Sequence, residues 1–195
     1  MTISNGYCTL DEFKKHLTIT THDADDDAAI ENIIEGSSRL IDNLAGRWFY
    51  PKTETRYFDV PAGREIELDE DLLTVTTLTN GDDTVITSTY YSLIPRNSTP
   101  KHSLIMKTTS IYNWTGNSSG DTEGVISIAG TWGYAATTPD DIRQACLEIA
   151  LSAYKRRTGE NTTGVATVTA AGVVITPQDI PGGALSIIRR YKRHI

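Results

Sequence analysis

The side chains that most often do chemistry in proteins are spread thinly along this chain of 195 residues. The four histidines are His16, His22, His102 and His194. No two of them have the three- or four-residue spacing that places two metal ligands on one helix face. The sequence also contains no phosphate-binding loop and no dinucleotide-binding glycine pattern. We therefore predict that the protein is not an enzyme and binds neither a metal nor a cofactor.

Two groups of acidic residues remain as candidates for chemistry. The stretch from Asp23 to Asp27 has four acids. A calcium-binding EF-hand loop starting at Asp23 would need glycine and glutamate at the positions of Ala28 and Ile34, so the pattern fails. We interpret these acids as the start of a helix, where negative charge interacts favourably with the helix dipole. Asp69 and Asp71 are interpreted as part of a solvated turn rather than as an acid/base pair.

The two cysteines, Cys8 and Cys146, are far apart in the sequence. Cys146 lies on the apolar face of a predicted helix, where a free cysteine behaves as a small hydrophobic residue. The N-terminal residues have neither a basic region nor an apolar stretch, and no run of 18 apolar residues occurs, so we expect no signal peptide and no membrane span. A disulfide framework is therefore not expected.

Charge is distributed unevenly along the chain. Residues 1–150 contain 11 Lys and Arg against 23 Asp and Glu, whereas residues 151–195 contain 7 against 2. The acidic body does not favour nucleic-acid binding, which requires neutralisation of phosphates. The basic run Arg189, Arg190, Tyr191, Lys192 and Arg193 has three interpretations: a solvated helix end, a surface for an acidic protein, or a nucleic-acid contact.

Four helices are predicted. Thr9 to Glu12 fits a capping box, which starts a short helix through about Leu17. A second helix runs from about Asp25 to Ala45 and stops at Gly46. A third has Thr138 as its N-cap and Pro139 in its first position, and runs to Arg157. The fourth follows Gly183. The apolar stripe of the second helix comprises Ile30, Ile33, Ile34, Leu40, Ile41 and Leu44.

Between the second and third helices the pattern changes to short, partly alternating strands. Predicted strands lie at 57–60, 66–68, 73–78, 84–86, 90–94, 103–106 and 125–132. Asn80 and Gly81 are typical of a type I′ hairpin. This segment indicates an antiparallel β lobe.

The stretch from Thr158 to Thr176 is rich in Gly, Thr, Val and Ala and is predicted to be an extended arm or a hairpin around Gly172. The strands of the hairpin are 165–168 and 173–175. The predicted fold class is therefore α+β: a small bundle of about four helices with an inserted β lobe and a Gly/Thr-rich arm before the last helix. The helical core comprises residues 1–50 and 133–195, with the arm at 158–180, and the lobe comprises residues 51–132.

Three segments together resemble the head–tail connector proteins of tailed bacteriophages, also called adaptor or head-completion proteins. They are Tyr7 to Leu17, Ile41 to Phe49, and Ile128 to Arg157, and their shared features are apolar spacing and aromatic–glycine junctions. The resemblance implies a non-enzymatic structural protein of the virion neck. Its partners would be the portal protein, neighbouring copies in a ring that is usually dodecameric, and a stopper or tail-completion protein.

The resemblance also implies that genomic DNA passes through the ring without specific binding and that no membrane is involved. Assembly is expected in the host cytoplasm. The basic run 189–193 is the predicted portal contact. The arm residues predicted to contact a neighbouring subunit are Val165, Val168, Val173, Val174 and Ile175. The alternatives are a tail- or fibre-associated binding module and a carbohydrate-active enzyme, which would need paired carboxylates in one cleft.

Overall fold

The structure is a computed structural model that describes residues 3–17, 24–158, 167–168, 174–175 and 180–193. The chain divides into two compact units: a helical unit, Met1–Trp48 with Thr138–Ile195, and a β unit, Phe49–Thr137. The described elements confirm the α+β class, with four helices and a five-stranded antiparallel sheet.

The helical unit contains α1 (Leu10–His16), α2 (Ala24–Ala45), α3 (Asp140–Arg157) and α4 (Gly182–Arg190). The capping box that starts α1 is confirmed. The Glu12 amide donates to Thr9 Oγ1 over 3.1 Å, and the Thr9 amide donates to Glu12 Oε2 over 2.8 Å. Helix α2 ends at Gly46 as predicted, because Gly46 adopts φ 66°, a left-handed conformation that costs glycine little.

Helices α2, α3 and α4 pack against one another. On α2, Ile30, Ile34 and Ile41 are fully buried, whereas Ile33, Leu40 and Leu44 are only half-buried. The fully buried side chains of α3 include Ile142, Ala145 and Cys146, and those of α4 are Ala184 and Ile188. Ser37, Ser38 and Ala45 are also buried, so the buried stripe of α2 is rotated toward Ser38 and Ala45 relative to the stripe that the sequence indicates.

The predicted start of α3 is wrong by one residue. Pro139 is the N-cap rather than the first helical residue, because its ψ of 143° is extended although its φ of −56° suits a helix. Asp140 and Asp141 lie in the first turn, where their charge interacts favourably with the helix dipole. The first turn of α2 likewise contains acidic residues that interact favourably with the helix dipole, as predicted: Asp25, Asp26 and Asp27.

The β unit contains β1 (Lys52–Phe58), β2 (Glu65–Thr79), β3 (Tyr91–Ile94), β4 (Lys101–Met106) and β5 (Ile126–Trp132). Their order in the sheet is β1-β5-β2-β4-β3, so β1 and β3 are the edge strands. The core of this unit is built around Trp132, Leu72, Leu104, Ile126 and Ile128, all fully buried. Strand β5 alternates between buried and half-buried residues along its whole length, as expected for a central strand.

The predicted turn at Asp69 and Asp71 is wrong, because β2 continues through both residues. A register shift between Glu67 and Leu72 bends the strand there. Asp69 is exposed and pairs with Arg56 over 2.9 Å. Asp71 is 1% exposed, and its Oδ1 lies 3.6 Å from His102 Nδ1. The two carboxylates therefore have different partners.

The type I′ turn predicted at Asn80 and Gly81 is also wrong. That turn needs positive φ at both residues, but here only Asp83 has it, at 61°. The Asp83 amide donates to the Asn80 carbonyl over 3.0 Å, so the chain turns over four residues. Glycine at position 81 instead allows the backbone at Thr115 to approach closely, because a Cβ at residue 81 would lie 2.3 Å from the Thr115 carbonyl oxygen. The predicted strand 84–86 is reduced to one bridge between Thr79 and Val85.

Strands β6 (Thr167–Val168) and β7 (Val174–Ile175) pair antiparallel, which confirms the predicted hairpin at these four residues. Thr167 lies opposite Ile175 and Val168 opposite Val174. The other two residues predicted for the arm contact, Val165 and Val173, lie outside the described residues.

Candidate functional site

The part of the chain that the structure describes contains no group of three or more His, Cys, Asp or Glu side chains arranged to hold a metal ion. None of its helices combines the length and the apolar character needed to cross a bilayer.

One motif was missed in the sequence. Residues 116–120 have the Gly-x-Ser-x-Gly spacing of a nucleophile elbow, which in α/β-hydrolases joins a strand directly to a helix. Here the segment is a surface turn between two loops. Asn117 Oδ1 accepts hydrogen bonds from the amides of Ser119 and Asp121, each over 2.9 Å. The side chain of Asn117 stabilises the turn, and the strand-to-helix context of a nucleophile is missing.

The predicted portal contact lies at the end of α4. Helix α4 ends at Arg190, and Arg189, Arg190 and Lys192 are exposed. Their charges lie together at the C-terminal end of a helix, where cations interact favourably with the helix dipole. This arrangement presents three cations to solvent on a chain whose net charge is −7.

Tyr191 and Arg193 are instead used within the helical unit. The Tyr191 hydroxyl donates to the Asp141 carboxylate, with oxygen distances of 2.8 and 2.9 Å. Arg190 Nη2 lies 3.5 Å from the same carboxylate. The Arg193 amide donates to the Ala45 carbonyl over 2.8 Å. These contacts connect the C-terminal residues to the first turn of α3 and to the end of α2.

Replacing Tyr191 with phenylalanine is expected to lower the free energy of unfolding by about 1–2 kcal/mol, because the bond it loses has a carboxylate acceptor. A double-mutant cycle with Asp141→Asn should give a coupling energy of about 1 kcal/mol in urea unfolding. Lys192→Ala, at an exposed neighbouring position, is the control and should change stability by less than about 0.5 kcal/mol. Equal effects of Tyr191→Phe and Lys192→Ala would contradict a structural role for the hydroxyl.

The β unit has an ion cluster over its core tryptophan. The Arg56 guanidinium lies 4.9 Å from the Trp132 ring centroid and pairs with Glu54 and Asp69 over 2.7 and 2.9 Å. Partial burial opposes ionisation of Glu54, but hydrogen bonds from Lys52 and Arg56 outweigh it and lower the pKa of this carboxyl. Burial by itself would lower the pKa of Arg56, but the carboxylates of Glu54 and Asp69 have the larger effect and raise it. The cluster covers one side of the tryptophan.

A second basic region lies in the β unit and was not visible in the sequence. Arg64, Arg96 and Lys107 line one groove of about 260 Å³, although they are separated by 32 and 11 residues. Backbone carbonyls orient two of these cations: Lys107 Nζ donates to Thr89 O over 2.8 Å, and Arg64 Nη1 donates to Met106 O over 3.3 Å. The groove is chemically suited to an anionic group such as a carboxylate.

Exposed apolar side chains in the described residues are few and separate. Tyr57 is 69% exposed on edge strand β1, and Val85 and Ile111 are 54% and 71% exposed in loops. An exposed edge strand with an aromatic residue can pair with another chain, although the charged residues of β1 oppose non-specific pairing.

A family model described as head completion protein matches residues 7–194 of this chain. The chain belongs to the head completion protein family. This finding confirms the resemblance noted in the sequence, and it makes the chain a structural protein of a phage-like particle. The match extends through both units, and it includes the arm and the part of the β lobe before Ile128, which the three resembling segments did not cover.

Three solved structures with the fold of this head completion protein come from gene transfer agent particles. A chain from the neck of an empty particle, computed with C6 symmetry, has a TM-score of 0.64 at 18% identity, and the alignment covers 100% of this chain and 94% of that chain. A chain from the neck of a native particle, computed with C12 symmetry, has a TM-score of 0.62 at 17% identity, covering 100% and 93%. A chain from the virion of a native particle has a TM-score of 0.59 at 18% identity, covering 100% and 94%.

At sequence identities of 17–18%, the similarity between these structures and this chain shows a shared fold. No curated protein sequence matches the chain.

Proposed function

We propose that this head completion protein is a non-enzymatic subunit of the virion neck. It forms a ring beneath the portal protein, extends the channel for DNA, and contacts the stopper or tail-completion protein on the other side. The observation that carries the proposal is the family match over residues 7–194. Structures with the same fold are described as parts of a particle neck, and they cover the whole of this chain.

The charge of the protein suits a channel through which DNA moves. The chain has 25 acidic residues against 18 basic ones, and like charge between its body and the phosphates opposes adhesion. DNA would pass without specific binding. The ring would contain twelve copies, matching the portal, and would be assembled in the host cytoplasm.

Two surfaces are assigned within this proposal. The portal contact is the run Arg189, Arg190, Tyr191, Lys192 and Arg193, and its exposed members, Arg189, Arg190 and Lys192, face solvent at the end of α4. The contact between neighbouring subunits includes the arm, with Val165, Val168, Val173, Val174 and Ile175. A short two-stranded hairpin is stable only when it packs on other structure, which favours an intersubunit role.

The portal contact is tested by charge reversal rather than by deletion. Removing residues 189–195 would also remove the Tyr191 and Arg193 contacts inside the helical unit. The double variant Arg189→Glu/Lys192→Glu leaves those contacts in place. It is expected to weaken co-sedimentation with purified portal rings at least tenfold. The two glutamates would repel the acidic surface that the basic residues are proposed to contact.

The matched control is Lys15→Glu/Lys155→Glu, which changes the net charge equally at exposed positions of α1 and α3. It should co-sediment as the unaltered protein does, and negative-stain images of that mixture should show rings on the portal. Equal loss of binding in both double variants would contradict the assigned contact. A protein that never binds portal rings would contradict the proposed function itself.

A further inference from the structure

The two cysteines of the chain meet in the core of the helical unit. Cys8 Sγ lies 3.6 Å from Cys146 Sγ, and both sulfurs belong to free, buried thiols. The two residues are 2% and 0% exposed. Cys8 immediately precedes the N-cap of α1, and Cys146 lies in the middle of α3. A contact at this distance needs only a small movement to become a bond between the sulfurs.

The segment that presents Cys8 is fastened mainly to α2. The Tyr7 amide donates to Ser38 Oγ over 3.0 Å, and the Tyr7 hydroxyl donates to Asp42 Oδ1. Arg39 Nη2 donates to the Asn5 carbonyl over 2.9 Å. These bonds hold the Cys8 side chain against α3, so the two thiols face each other in the folded protein.

The surroundings make the two thiols unequal. The hydrogen bond from Cys8 lowers the pKa of the Cys146 thiol and outweighs the effect of burial. The same thiol–thiol bond, together with burial, raises the pKa of Cys8. Cys146 is therefore the sulfur that ionises first, and Cys8 is the second thiol beside it.

We propose that Cys8 and Cys146 form an oxidation site, at which a small disulfide oxidant converts the facing thiols into an intramolecular disulfide that fastens the N-terminal segment to α3. Movement of the N-terminal segment that carries Cys8 away from α3 exposes the pair to the oxidant. The thiolate of Cys146 then attacks one sulfur of the oxidant and releases the other as a thiol. Cys8 then loses its proton and attacks Cys146 Sγ, which releases the second thiol. Two protein thiols are oxidised, and one oxidant disulfide is reduced to two thiols.

The disulfide would be a cross-link between two residues that are far apart in the sequence. Residues 8 and 146 are separated by 138 positions, and a cross-link over such a distance restricts the unfolded chain strongly. In a reducing cytoplasm the pair stays reduced, whereas an oxidising exterior favours the bond. A stabilising role of this disulfide in a released particle rests on the proposed function. The oxidation of the two thiols depends only on the structure of the helical unit.

The test uses the purified full-length chain and 2-hydroxyethyl disulfide. Folded protein is expected to lose both thiols, with a mass decrease of about 2 Da and no adduct. Peptide mapping without reductant should recover a peptide that joins Cys8 to Cys146. The midpoint of thermal unfolding should rise by roughly 5–15 °C and return to its original value after reduction.

Cys8→Ser and Cys146→Ser are the control variants, and neither should show a change of midpoint on oxidation. Chain unfolded in urea and treated with the same oxidant verifies that the reagent is active. Persistence of both thiols in the folded protein, or their loss only as adducts or intermolecular dimers, would overturn the proposal. Because no portal is present, these outcomes do not depend on whether the chain forms a neck ring.

Discussion

Trp132→Ala is expected to lower the free energy of unfolding of the β unit by about 3–5 kcal/mol, the cost of removing a large buried aromatic side chain. Trp132 is fully buried at the end of central strand β5. Its ring stacks on Phe58 with centroids 6.2 Å apart, and Arg56 covers it. Its Nε1 donates to the Glu54 carbonyl over 3.1 Å. Urea unfolding followed by circular dichroism measures the loss.

Trp114→Ala is the matched control for this substitution. Trp114 also donates its Nε1 to a backbone carbonyl, that of Arg64 over 3.1 Å, but the side chain is only half-buried. Trp114→Ala should lower the free energy of unfolding by less than half as much as Trp132→Ala, since it removes less buried apolar surface. Similar costs for the two variants would show that Trp132 does not organise this core.

Gly130→Ala is expected to cost about 3 kcal/mol or more, at the upper end of overpacking effects, because the obstruction is backbone. A Cβ at residue 130 would lie 2.1 Å from the Thr74 carbonyl oxygen and 3.3 Å from Leu72 Cδ1. Gly130 pairs with β1 on one side and with β2 on the other. Register shifts in β2 on both sides of Thr74 and Val75 bring that carbonyl close.

Gly63→Ala serves as the control, because a Cβ at that exposed residue would meet nothing within 4 Å. It should change the urea midpoint by an amount equivalent to less than about 0.5 kcal/mol. A Gly130→Ala protein as stable as Gly63→Ala would mean that β2 and β5 can separate at little cost. Either result is read from the same unfolding curves.

Both predictions concern the β unit, and their consequence for function is indirect. If this protein is a ring subunit, each copy must keep its sheet intact while the surfaces around it make contacts. A destabilised sheet is expected to lower the yield of folded protein without altering the charge reversal effect at the end of α4. The two kinds of variant therefore separate folding from assembly.

Local patterns were sufficient for the helices. The capping box at Thr9 and Glu12, the stop at Gly46 and the acidic first turns depend on residues within one or two turns of each other, so their chemistry is visible in a short window. The hairpin of β6 and β7 is local in the same sense. The family resemblance rested on similarly short segments, and the family match confirms it.

Where the sequence interpretation failed, distant residues decided the structure. Asp71 lies within a continuous strand beside His102. At Asn80 the turn type is set by the loop at residues 113–115, because the Asn80 side chain donates to Asn113 O and to Thr115 Oγ1, each over 2.9 Å. Turn propensity describes a turn in isolation, and here partly buried hydrogen bonds to another loop outweigh it.

The sequence alone predicts the α+β class, the approximate bounds of the four helices and the family resemblance. Only the tertiary structure brought Cys8 to Cys146, gathered Arg64, Arg96 and Lys107 into one groove, and placed Tyr191 on Asp141. The physical reason is the range of the interactions. Helix caps and apolar periodicity act between near neighbours, whereas these groupings arise when hydrophobic burial folds distant parts of the chain together.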